Sequence, residues 1–166
     1  MSFVSDTLGD LQPELGKIRR MLDRIPEEHF GWRPHEKSWT LVDLSAHRAN
    51  LPWWIVSTVT DDEFDLAHDF GPRPTYIDRQ QILDVFDRNA EEALERVRTA
   101  PESLLREGWT LKMNGNILWT RPRFEVIREF GIAHMGHHRG QLSMYLRLLD
   151  VPLPPIFGPT ADERVG

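Results

Sequence analysis

The chain has no cysteine. Disulfides, thiolate metal ligands and a cysteine nucleophile are thereby excluded, and any thiol chemistry has to draw on an external thiol. Nowhere do apolar residues run to the roughly eighteen that a membrane span requires, and the stretch MSFVSDTLGDLQPELG has no basic segment followed by an apolar run. A soluble, cytoplasmic protein without a membrane partner is expected. A dense Lys/Arg cluster is missing too: 20 basic residues face 26 acidic ones, for a formal charge of −6. Non-specific nucleic-acid binding relies on neutralising phosphates, so this balance speaks against a nucleic-acid partner and suits a solvated surface. There is no internal repeat or low-complexity tract, and 166 residues suit one domain, 1–166, whose core needs no disulfide.

What is present is helical periodicity. Leu8, Leu11, Leu15, Ile18, Met21 or Leu22, and Ile25 recur every three to four residues, which predicts a first amphipathic helix over 4–24. Pro13 and Gly16 weaken its middle and leave open that its beginning is a separate turn; Pro26 closes it. The connection 25–38 carries Gly31, Pro34 and Trp32, and with Trp39 it packs aromatics back onto the core. Thr40 with Asp43 three residues on resembles a capping box, and a second helix is predicted over 41–59, kinked by Pro52 one turn beyond His47. Stretch 61–76, acidic and rich in Gly and Pro, reads as a long connection; its Phe64 and Phe70, with Tyr76, are candidates for the border of an opening.

Thr75, with Asp78 in the first turn, opens a third helix over 77–99 whose outer face alternates acids and arginines, a solvated surface. Asn114-Gly115 is a hairpin turn between strand-like runs 109–113 and 117–119. Thr120 then caps a long fourth helix over 121–150, with Pro122 where a helix start tolerates proline. The proline-rich tail 151–166 is expected to lie extended over the surface, anchored by Ile156 and Phe157. The fold class that follows is all-α: a four-helix bundle with long connections and a small β-hairpin between the third and fourth helices.

The sharpest chemical signal lies on the fourth helix. Phe124, Ile127, Phe130, His134, His138, Gln141 or Leu142, Tyr145 and Leu148 step by three and four, so His134 and His138 replace core residues on the inward stripe. Four apart, their imidazoles project from consecutive turns and suit one metal ion; they also suit core histidines bonded to a neighbouring helix. His47 shares a face of the second helix with Leu44, Leu51, Trp54 and Thr58, and is the natural third ligand. His137 is turned about 100° from His138 and is not expected to coordinate. His68 belongs to a solvated connection.

Three segments carry a family resemblance: LVDLSAHRANLPWWI, IAHMGHHRGQLSMYLRLLDVPLPP with its H-x-x-H-H-R-G-Q motif, and IFGPTADE. Together they resemble the DinB superfamily, the DinB/YfiT-like metalloenzymes. The resemblance implies a four-helix bundle, often a homodimer, that holds a divalent metal ion, zinc or nickel, on three histidines. By motif position these are His47, His134 and His138. Some relatives are thiol-dependent transferases or isomerases using a low-molecular-weight thiol such as bacillithiol, mycothiol or glutathione, and many others have no established activity. Pro52 departs from a straight second helix and bears on the shape of the pocket.

Three neutral imidazoles leave a coordination position open, where zinc lowers the pKa of bound water to roughly 7 and deprotonates a thiol. The reacting group would thus be a metal-bound water or a thiolate attacking a small electrophile. Gln141 and Arg139 are the candidate helpers. Gln141 either orients a ligand or makes a plain interhelical bond; Arg139 binds a substrate carboxylate or, the commoner case, pairs with an acid. Asp43 stands one turn before His47 and either holds its ring or caps the helix. Gly136 and Gly140 suggest close packing by another backbone. Trp53 and Trp54 wall a pocket or belong to the core or a dimer interface. Three functions remain open: a metal-dependent thiol S-transferase, a metal-dependent hydrolase, and a stress-associated metal-binding protein without turnover. No carboxylate on the ligand-bearing faces clearly fills the role of general acid or base, which favours the first over the second.

Overall fold

The computed structural model describes residues 2–68, 71 and 74–164, which leaves Phe70 outside the described residues. The chain is mostly helical with a small three-stranded sheet. Helix α1, Phe3–Leu22, buries Leu11, Leu15, Ile18 and Leu22 along one face and passes through Pro13 without a break. Its beginning is no separate turn, because its first amides have acceptors: the Glu102 carboxylate takes the amides of Phe3 and Val4, each at 3.1 Å. Phe3 also stacks on Phe124, ring centroids 4.7 Å apart.

The predicted second helix is two helices, α2 (Leu41–Asn50) and α3 (Pro52–Thr60), meeting at Leu51. Pro52 cannot donate a backbone hydrogen bond, so it opens a new helix where proline is tolerated instead of bending an old one. Stretch 61–76 is also more than a connection, since it contributes strand β1, Glu63–Asp65. This strand runs parallel to β2 (Gly108–Met113), which pairs antiparallel with β3 (Asn116–Pro122). Asn114 (φ 51°) and Gly115 (φ 76°) turn the hairpin in the left-handed region. The Asp65 carboxylate accepts their amides at 3.0 and 2.6 Å, which ties β1 to the hairpin tip.

Helix α4, Arg79–Thr99, starts two residues later than predicted. Its cap is Asp78, whose carboxylate accepts the Gln81 amide at 2.8 Å, and Thr75 has no part in it. The last long segment differs more. Thr120 is not a cap but a strand residue, its hydroxyl 2.8 Å from that of Thr110 across the hairpin. Helix α5, Arg123–Val126, then continues into a π-helical segment, Ile127–Ala133, and α6, His134–Leu148. The stripe shifts accordingly: Arg123, Val126 and Ile127 are buried, while Phe124 and Phe130 are half-buried and Leu148 is exposed.

The main core joins α1 through α4 with α6; Trp109, Leu111 and Val126 form a second cluster under the sheet, where Trp54 packs. Arg123, itself buried, donates to the carbonyls of Thr58 (2.6 Å) and Asp61 and to the Asp62 carboxylate (2.6 Å), closing the carboxyl end of α3. In the tail, Ile156 packs on the core, but Phe157 is 81 % exposed and no anchor. Its ring instead lies under Lys17 Nζ (3.8 Å) and the Arg139 guanidinium (4.9 Å).

Close packing by a neighbour belongs to Gly131 and not to Gly136 or Gly140. A Cβ on Gly131 would sit 2.8 Å from Ile55 Cγ1, whereas one on Gly140 meets nothing within 4 Å and one on Gly136 nothing closer than 3.9 Å. Gly131→Ala should therefore destabilise the protein by about 1–3 kcal/mol through overpacking. Gly140→Ala should stabilise it by about 0.5–1 kcal/mol through helix propensity. Urea denaturation of the two variants measures both, and equal effects would contradict the packing assigned to the π-helical segment.

Candidate metal centre

The start of α2 is pinned on three sides, which fixes where His47 emerges. Its free amides are taken by the Trp32 carbonyl (to Leu41, 2.8 Å), the Phe30 carbonyl (to Val42, 3.1 Å) and the Thr40 hydroxyl (to Asp43, 3.2 Å). Asp43 returns an acceptor to the Thr40 hydroxyl at 2.5 Å, so its carboxylate serves the cap. Trp39, one residue before the cap, is held by its carbonyl, which accepts from the Tyr145 hydroxyl of α6 at 3.2 Å.

From that start α2 packs against α6, and His47, His134 and His138 converge with their ligand atoms all within 4.8 Å of one another. His138 Nε2 lies 3.2 Å from His47 Nε2 and 2.9 Å from His134 Nε2. Nitrogens sharing a tetrahedral zinc at about 2.05 Å stand about 3.3 Å apart, so the cluster needs only small ring movements to surround an ion. Three imidazoles are a donor set suited to a divalent transition ion, and together they could hold one.

Gln141 completes the orientation of His138. Its Oε1 lies 2.6 Å from His138 Nδ1, and an amide oxygen only accepts. Nδ1 therefore carries the ring proton, and Nε2 turns its lone pair toward the other two histidines, the outer arrangement usual for a ligating imidazole. Burial pushes the His138 pKa down to about 4, against the hydrogen bond to Gln141, with the charges of His134, His137 and Arg48 adding to the lowering. Burial also lowers His134, opposed by a hydrogen bond to the Phe130 backbone. Both rings are thus kept neutral, the form that coordinates.

Trp39, 43 % exposed, lines the cluster: its ring lies nearly parallel to His138 (16°, centroids 5.8 Å) and edge-on to His47 (4.9 Å). His137 is exposed, its ring 4.9 Å from that of His138, and it is outside the convergent group. His68 is likewise elsewhere, against Phe64 at 6.3 Å. Arg139 pairs with Glu14 of α1 at 2.6 Å. Trp53 and Trp54 pack with Phe64 (5.5 and 5.2 Å) beside the sheet.

Two residues near this group went unread in the sequence. Arg48 and Glu14 are buried on inward helix faces, and each breaks an apolar stripe: Arg48 after Leu41 and Leu44, Glu14 between Leu11 and Ile18. A charge inside a helical stripe was the available signal.

The DinB family model matches residues 4–163. The chain is 24 % identical over 153 residues to the uncharacterized protein YrdA of Bacillus subtilis (strain 168), covering 90 % of this chain and 85 % of that one. Its fold is similar to the crystal structure of a DinB-like protein from Bacillus cereus ATCC 10987, with a TM-score of 0.72, 18 % identity, and 91 % and 95 % of the two chains covered. A DinB-like protein from Bacillus subtilis, YjoA, gives a TM-score of 0.70 at 13 % identity, with 91 % and 97 % covered. The family match runs through all three converging histidines, and on that footing the chain belongs to the DinB family.

Proposed function

We propose that the protein is a metal-dependent thiol S-transferase, with His47, His134 and His138 as ligands of one zinc or nickel ion at the interior of a four-helix bundle. The observation that carries this reading is the convergence of the three Nε2 atoms, with Gln141 setting the tautomer of His138. A divalent ion held by these three histidines would supply positive charge that lowers the pKa of an external thiol beside it, so that the thiol gives up its proton to solvent. The chain's own residues do the rest: burial keeps His134 and His138 neutral, and Trp39 offers a flat apolar wall beside the cluster for a small electrophile. With no cysteine, the protein presents no competing thiol.

The hydrolase reading is less well supported, because it needs a general acid or base within reach of an activated water. Among the described residues no carboxylate joins the histidine cluster, and the nearest in sequence, Asp43, is bonded to Thr40.

Purified protein should carry about one zinc or nickel ion per chain, and His47→Ala, His134→Ala and His138→Ala should each reduce this to near zero, since two imidazoles rarely hold the ion. Elemental analysis after dialysis reads it, and full occupancy in all three variants would overturn the ligand set. Metal-loaded protein should also conjugate a low-molecular-weight thiol to a chlorinated nitrobenzene, and His138→Ala should lose the metal-dependent rate. No conjugation with any of bacillithiol, mycothiol or glutathione would favour a metal-binding role without turnover.

The depressed His138 pKa gives a third expectation, for chelator-treated protein. Unfolded histidine takes up its proton near pH 6.5, whereas folded His138 resists until about pH 4. Between those values the unfolded chain binds more protons, so stability should fall as the pH drops through that window, and the contribution should level off below it. Denaturation midpoints from pH 7 to 4 should decline less steeply in His138→Gln.

A further inference from the structure

Arg48 follows His47 on α2 and is only 1 % exposed. Its Nε, Nη1 and Nη2 are all shut off from solvent, and none has a hydrogen-bond partner among the described residues. A guanidinium brings five N–H donors, and buried donors are almost always satisfied by protein, water or a bound ion. The carboxylate within its electrostatic reach is that of Glu14, but Glu14 is already bonded to Arg139 Nε at 2.6 Å and lies 3.6 Å from Lys17 Nζ. Three cations, Lys17, Arg48 and Arg139, thus share one buried carboxylate where α1, α2 and α6 meet.

Access to this group is visible on one side. Arg139 borders a groove of about 310 Å³ between α6 and the tail, together with Gly140, Ser143 and Thr160. Arg139 is therefore in contact with the groove, with Glu14 and, through its charge, with Arg48. Of the three cations and Glu14 it alone lines the groove, so a ligand entering there meets Arg139 first. Guanidinium pairs favour planar or tetrahedral oxyanions, which accept two parallel N–H bonds from each fork.

We propose that Arg48 and Arg139 form an internal oxyanion site, reached by this groove, that takes a small carboxylate or an inorganic oxyanion. The site uses none of the proposed metal ligands, since its donors are the guanidinium nitrogens of Arg48 and Arg139 and not the three imidazoles. It makes good the missing acceptors of Arg48 and the deficit of negative charge in the cluster. Its position, one residue from His47 and one from His138, would anchor an anionic group of a substrate beside the histidines.

The test is thermal denaturation of the full chain, as purified and after chelator treatment, with inorganic phosphate or acetate added and sodium chloride balancing ionic strength. At ten times its Kd the bound anion should raise the Tm by roughly 3–6 °C in both states of the protein. Phosphate acting alone would assign a tetrahedral oxyanion, and acetate acting alone a carboxylate. Arg48→Met should lose the response and, without anion, be at least as stable as the parent, because an uncompensated buried charge has gone. No shift with either anion, an undiminished shift in Arg48→Met, or a shift abolished by chelation would each overturn the proposal. If Arg48→Met does not fold, the Nε–Hε NMR signal of Arg48 in the parent protein decides: it should move on anion addition, and a signal that stays in place rejects the site.

Discussion

The approach of α2 to α6 at the histidines is the constraint on which the rest of the structure depends. Three Nε2 atoms 2.9 and 3.2 Å from their nearest neighbour cannot all be satisfied by one another. His138 Nε2 has a single lone pair, so it accepts from one neighbour at a time, and the nitrogens stay crowded because the helices on either side are fixed. Leu44 on α2 and Leu142 on α6 are buried in one core, while the amides that open α2 are tied to Phe30 and Trp32. Packing supplies the free energy that holds the imidazoles together, and a cation between them would replace a frustrated hydrogen-bond arrangement with a satisfied one.

The same region shows two ways of burying an arginine. Arg123 finds the last carbonyls of α3 and the Asp62 carboxylate, and so acts as a brace between α3 and α5. Arg48, equally enclosed, finds no acceptor among the described residues. An arginine cannot lose its charge readily, so the interior beside the histidines is electropositive, with Glu14 only partly offsetting Lys17, Arg48 and Arg139. This field works with burial in keeping His138 neutral. It also opposes the positive charge of a metal ion, which makes an anionic companion electrostatically favourable at such a centre.

The histidines were legible because their signal is local: four-residue spacing on one helix and a third histidine on another inward stripe. The mostly helical fold was legible for the same reason, and Asn114-Gly115 marked a turn that strand residues on both sides confirm. What escaped depends on partners distant in sequence. Asp65 docks β1 onto a hairpin some fifty residues away, and nothing in stretch 61–76 announces that pairing. Thr75 and Thr120 looked as good a cap as Thr40 did; only the chain's path decided that Asp78 would cap α4 and that Thr120 would lie in a strand. Arg48 was visible as a misplaced charge, but its lack of acceptors belongs to the packed interior.

The π-helical segment explains why the fourth predicted helix had the right histidines and the wrong neighbours. On an ideal helix, at about 100° per residue, the face that carries His138 and Leu142 also carries Phe124, with Arg128 and Arg123 on its two flanks and Val126 pointing away. In the structure the buried face is turned toward the other flank: Arg123 and Val126 are buried, Phe124 is half-buried and Arg128 is exposed. Widened turns over Ile127–Ala133 rotate everything before them by about one residue relative to α6. That slip reconciles two demands that a regular helix could not meet together, Arg123 facing the end of α3 and His134 with His138 facing α2. Gly131, in the second half of the segment, is where the widened backbone comes against Ile55. Because the segment ends at Ala133 and α6 begins at His134, the first ligand of the pair sits at the junction between the two helical geometries. The position of the site along the helix is therefore set by a brace eleven residues earlier as much as by the histidines themselves.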